Sequence, residues 1–101
     1  MKETFETKLW VNGMVIELNP FVEEFLARTV MGAVSALKGV EKIENLELDV
    51  ERGDVRVIVN GSEITITPFP NDFIANTFAG LVSTLKGVDK VESFRVNVKV
   101  L

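Results

Sequence analysis

The residues best able to do chemistry in this chain are carboxylates, serines, lysines and one tryptophan, because histidine, cysteine and tyrosine are all absent. Glu47, Asp49 and Glu51 alternate along a predicted strand, so they line one of its faces about 7 Å apart. Carboxylates placed this way could meet calcium or magnesium, but the spacing is too wide to enclose one small ion unless another strand adds oxygen donors. Ser35 and Ser83 each stand three residues before a lysine, Lys38 and Lys86. At that separation a lysine amine could take a serine proton in acyl transfer. Both pairs also fall where a helix should end, and there a lysine complements the helix dipole. Arg52-Gly53-Asp54 spells the tripeptide read by integrins, yet between two strands these residues make a turn. Asn60-Gly61-Ser62 is a formal glycosylation sequon and equally the centre of a tight hairpin.

The companions that chemistry would need are missing. Ser-x-x-Lys resembles the motif of penicillin-binding proteins, but Ser-Asp-Asn and Lys-Thr-Gly do not accompany it here, so no role carries over. Loss of histidine removes the commonest general base and transition-metal ligand, and loss of cysteine excludes disulfides and thiolate metal sites. There is no phosphate-binding glycine loop and no Gly-x-Gly-x-x-Gly. Catalytic, cofactor-binding and metal-ligating residues are therefore all expected to be none. Lys8, Arg56, Arg95 and Lys99 could contact a nucleic acid on an open sheet, but acidic neighbours and a formal charge of −4 weigh against it. No uncharged run approaches the eighteen or so residues of a membrane span. The polar start, without a signal-peptide pattern, sets the expectation of a cytoplasmic protein with no membrane partner.

The strongest regularity is internal. Residues 9–52 recur without a gap as residues 57–100, and 19 of those 44 positions are identical. With 101 residues, 47% of them apolar, the chain is expected to be a single domain, 1–101, in which two copies share one core.

Each copy reads as strand, hairpin turn, strand, helix, strand. Asn12-Gly13 and Asn60-Gly61 are flanked by alternating apolar residues, the pattern of a two-residue type I′ turn. Asn19 and Thr67 suit a helix N-cap, Pro20 and Pro68 the first helical position, and Gly39 and Gly87 the stop. On a helical wheel Phe21, Val22, Phe25, Leu26, Ala33 and Leu37 form an apolar arc expected to face the core, as do Phe69, Phe73, Ile74, Leu81 and Leu85. Gly32 and Gly80 recur inside the helices, which suggests that another backbone passes close by. Leu46, Leu48 and Val50, and again Phe94, Val96 and Val98, alternate with polar residues in the closing strands.

The predicted fold class is α+β: two tandem ββαβ repeats forming a two-layer sandwich, with about six mostly antiparallel strands and two helices on one face. Each helix is expected to return the chain so that the next strand runs parallel to the one before it, and the order of strands stays open. From Leu37 through Gly39, Val40 and Ile43 to Val50, and on across Gly53 to Val57, the rhythm resembles that of ferredoxin-like domains, heavy-metal-associated domains in particular. The resemblance implies a related fold but no function, since the metal-binding Cys-x-x-Cys is absent.

Differences between the copies supply the candidate interaction surface. Outward residues of the closing strands change sign, from Glu47, Asp49 and Glu51 to Arg95, Asn97 and Lys99, which would suit two strands lying near each other. Trp10 falls on the wet side of the first strand opposite Val15; its counterpart is Ile58. Trp10 either seeds a partner surface or shields the hairpin. Two functions follow. One is a non-enzymatic protein-interaction or structural module, self-associating through the sheet face or an edge strand. The other is a regulatory domain holding a small molecule between its two halves.

Overall fold

A computed structural model describes residues 4–101. The elements in chain order are β1 (Phe5–Val11), β2 (Met14–Ile16), α1 (Pro20–Ser35), β3 (Asn45–Glu51), β4 (Asp54–Val59), β5 (Ser62–Ile64), α2 (Pro68–Ser83) and β6 (Ser93–Val100). The strands form one wholly antiparallel sheet in the order β2-β1-β6-β3-β4-β5. All three hairpins turn through a left-handed pair of residues: Asn12-Gly13, Arg52-Gly53 and Asn60-Gly61, with φ of 50° and 81°, 49° and 85°, and 51° and 86°. These are the dihedrals of a type I′ turn, whose twist suits flanking strands.

The register joins the two ends of the chain. β6 lies between β1 and β3, with Leu9 opposite Val96 and Leu48 opposite Val96 on its other side. Leu48 also faces Val57 in β4. Each hairpin therefore pairs with the closing strand of the other half of the chain. The expectation that β3 would run parallel to the preceding strand is corrected: β3 runs antiparallel to β2. α1 starts beside Thr7, and β3 starts opposite Lys99, at the same end of the sheet. A 16-residue helix rises about 24 Å, so residues 36–44 must bring the chain back along it.

Alternation buries one sheet face: Leu9, Val11, Leu46, Leu48, Val50, Val57, Val59, Phe94, Val96 and Val98 join one core. α1 covers it with Leu26, Ala27, Val30 and Val34, and α2 with Ile74, Ala75, Phe78 and Val82. The two stripes occupy equivalent positions, spaced i, i+1, i+4 and i+8. They correct the predicted arcs, since Phe21, Phe25, Phe69 and Phe73 point away from the core. Each helix is apolar on more than half its circumference, so periodicity alone could not say which part of the arc meets the sheet.

The helix ends follow their signals in part. Asn19 Oδ1 accepts from the Val22 amide at 2.8 Å, whereas the Thr67 side chain makes no capping bond. The helices stop at Ser35 and Ser83, before the lysines, and neither has a basic residue in its last turn. Gly39 and Gly87, at φ of 85° and 87°, belong to a separate turn beyond the helix. Gly32 and Gly80 are not sites of close approach, for a methyl group built on either meets nothing within 4 Å.

Polar side chains finish the edges. β2 and β5 have only three residues, so four of the seven residues of β1 and three of the six of β4 have no strand on their outer side. The Thr7 amide donates to Glu23 Oε2 at 3.0 Å, and the Val55 amide to Asn71 Oδ1 at 2.8 Å. An edge treated this way offers little to another strand. Thr7 itself points into the core, 6% exposed, with its hydroxyl lacking a partner. Its equivalent in the second half is Val55. Thr7→Val keeps the shape and removes the unpaired group, so it should stabilise the fold by about 1 kcal/mol in chemical denaturation.

Candidate functional site

The predicted surface residues share the open sheet face but not one patch. Trp10 lies between Val15 on β2 and Arg95 on β6, and Arg95 is opposite Asp49, which is opposite Arg56. In the neighbouring row Lys8, Asn97, Glu47, Ile58 and Glu63 follow one another across the strands. Trp10 and Ile58 are thus in different rows with two strands between them. Glu51 faces Ser93 and Asp54 near one end, and Lys99 faces Glu6 and Asn45 at the other. Val15 is exposed, while Trp10 is half-buried.

Two ion pairs cross this face. Arg95 Nε donates to Asp49 Oδ1 at 2.8 Å, directly across the β3–β6 pair, and Arg56 reaches Glu63 Oε1 at 3.3 Å. The closing strands do lie side by side, with the sign change bringing Arg95 to Asp49. Glu47 is the unsettled member. Its carboxyl is raised above the ordinary carboxylate value by a hydrogen bond with Asp49, then by burial and by repulsion from Asp49. A raised folded-state value means this group favours folding below the ordinary carboxylate range, and that contribution is lost as pH rises through the folded value. Glu47→Gln should therefore raise stability at pH 7 and flatten the difference from wild type on acidification, measured as Tm against pH. Among the described residues no three acidic side chains gather as a metal site.

The opposite face of the molecule has a different character. Phe21 and Phe25 are 73% and 50% exposed, and Phe69 and Phe73 are 76% and 64% exposed. Within each pair the rings lie one helical turn apart, with centroids separated by 5.8 Å and 5.9 Å. Beyond them the outer stripes continue through Thr29, Gly32 and Ser35 in α1, flanked by the Glu24–Arg28 ion pair, and through Thr77, Gly80 and Ser83 in α2. α2 carries one charged residue, Asp72, in its 16. An outer helix face normally carries charges, and a helix that is uncharged all round is normally covered all round. The signal was present in the sequence: Phe at i and i+4 occurs in both helices, followed in each by a glycine, Gly32 or Gly80, and a serine, Ser35 or Ser83.

Compared with known proteins, the chain matches no family model, no curated protein and no solved structure. Its class is set by its own architecture, a small α+β domain with two helices against a six-stranded antiparallel sheet. Among the described residues no helix is long and apolar enough to cross a membrane.

Proposed function

We propose that this chain is a non-enzymatic protein-interaction module, a duplicated ββαβ unit whose contact layer is the outer face of its two helices. The observation that carries the reading is the set of four exposed phenylalanines. With 150–250 Å² for each aromatic side chain, each pair exposes roughly 250 Å², so the four rings make two apolar patches at opposite ends of the helix layer. Duplication is supported by positions 48 apart: Trp10–Arg95 and Ile58–Glu47 are equivalent cross-strand pairs. Leu48 and Val96, 48 apart themselves, face each other where a pseudo-twofold axis would pass. The sheet face, with its paired charges and the Trp10–Val15 contact, is the lesser candidate, and the three-residue edge strands are weaker still.

Phe21→Ser and Phe69→Ser, at low protein concentration, should leave unfolding free energy within about 0.5 kcal/mol of wild type and reduce binding of an apolar dye. A loss of more than about 2 kcal/mol would make these rings part of the core and remove the basis of the reading.

A cleft of about 420 Å³ between α2 and the sheet supports the second reading, a regulatory domain for a small molecule. It is lined from both halves, by Val50 and Gly53 and by Ala75, Ala79 and Phe94. Native mass spectrometry of the purified protein would show a stoichiometric adduct if this cleft is filled, and a bare chain would count against it.

A further inference from the structure

We infer that the helix layer docks against the helix layer of a second copy of this chain, giving a twofold dimer of sheet, helices, helices and sheet; this rests on the interaction-module reading. Three observations select that occupant.

The first is charge. At a net −4, two copies repel unless the surfaces that meet are neutral. The sheet face is dense with charge, whereas the outer helix surface carries only Asp72 on α2 and, on α1, Glu24 and Arg28, which pair with each other at 3.1 Å.

The second is shape. Each stripe has its bulk at one end, Phe21 and Phe25 or Phe69 and Phe73, and small residues at the other, where a methyl group on Gly32 or Gly80 would meet only open space. α1 starts beside Thr7 and α2 beside Val55, at opposite ends of the sheet. A twofold axis lying in the layer, along or across the strands, then sets the phenylalanine end of each helix over a glycine end in the second copy. Bulky ends meeting small-residue ends let the two layers approach along their length, as an isologous interface requires.

The third is area. A stable interface removes about 800 Å² from each partner. The phenylalanines supply roughly 500 Å² of that, and the small residues along both stripes lie between them. The same Phe, Gly and Ser stand at these exposed positions in both halves, while two of the four buried helix positions differ, Leu26 from Ile74 and Val30 from Phe78. A surface used symmetrically would keep them alike.

Sedimentation equilibrium over about 1 µM to 1 mM tests this, with circular dichroism to verify folding. The wild type should fit a monomer–dimer equilibrium without larger species. Phe25→Arg with Phe73→Arg should weaken association more than about 30-fold. Gly32→Leu with Gly80→Leu adds bulk at the small-residue ends and should also weaken it; leucine suits a helix better than glycine, so this pair stays informative if the arginine pair fails to fold. Trp10→Ser should leave the dimer intact. A wild type that stays monomeric throughout overturns the second copy as partner but leaves the contact layer available to another protein. A dimer that survives both pairs, or that Trp10→Ser abolishes, overturns the placement. Unfolding by the serine variants described above would overturn the interaction-module reading itself.

Discussion

Asn12→Ala and Asn60→Ala are each expected to lower stability by about 2–4 kcal/mol, the largest effect of any exposed side chain in this protein. Asn12 Nδ2 donates to the Lys90 carbonyl at 2.6 Å, and its Oδ1 accepts from the amides of Glu92 and Ser93 at 2.8 and 3.0 Å. Asn60 repeats the pattern on the other half: Nδ2 to the Lys42 carbonyl at 2.7 Å, and Oδ1 from Glu44 and Asn45, both at 2.9 Å. Each turn thus clips the segment leading into the closing strand of the opposite half. Alanine loses three bonds at about 0.5–1.5 kcal/mol each, toward the low end because the groups are exposed. It also has to hold a φ near +50°, a conformation that disfavours residues other than glycine and asparagine by about 1 kcal/mol. Asn12→Gly relieves the second contribution and keeps the first, so it should fall between alanine and wild type in urea unfolding. Losses below about 0.5 kcal/mol for both alanine variants would show that the halves are held without the clips.

The Gly32→Ala, Gly80→Ala double variant is expected to gain about 1.5–2 kcal/mol, a rise in Tm of roughly 6–15 °C. Each glycine sits inside a 16-residue helix, and a methyl group there meets no atom within 4 Å. The gain is therefore the helix propensity of alanine over glycine, undiminished by a clash. The two sites lie on different helices, so their effects should add. The measurement belongs at low concentration, where association does not contribute to the apparent Tm. No gain from either substitution would mean that the helices are not continuous through these positions. A protein that keeps two such glycines on open surface forgoes easy stability, which suits a face that something else approaches.

Much of the fold was legible because its signals are local. Asn12-Gly13 and Asn60-Gly61 each specified a two-residue turn, and those turns alone place Trp10 opposite Val15 and Ile58 opposite Glu63, as observed. Alternation in Leu46–Val50 and Phe94–Val98 gave the buried faces of β3 and β6. The sign change between Asp49 and its neighbours on one strand and Arg95 on the other pointed to adjacent strands, and the two residues meet at 2.8 Å. What was not legible depends on long-range pairing. Nothing within residues 9–52 says that the first hairpin will pair with β6 rather than with β3, so the direction of β3 was misjudged. The side-chain bonds of Asn12 span about eighty positions and leave no local trace. The phenylalanines were misplaced for a different reason: a sheet receives small and β-branched residues such as Ala27, Val30 and Val34 as readily as rings, and hydrophobicity ranks them all as core. The better clue was the scarcity of charge on α2, whose outer side offers solvent only Asp72, Asn76, Thr77 and Ser83 as polar residues.

The central claim, that the helix layer is the contact surface, is tested most directly by fluorine NMR of the protein with its seven phenylalanines labelled, followed from dilute to concentrated solution. The resonances of Phe21, Phe25, Phe69 and Phe73 should respond to solvent when dilute and shift together as concentration rises, while Phe78 and Phe94 stay fixed in the core. If the four resonances are insensitive to solvent and concentration, or if Phe78 and Phe94 are the ones that move, the helix layer is not the surface by which this protein meets another.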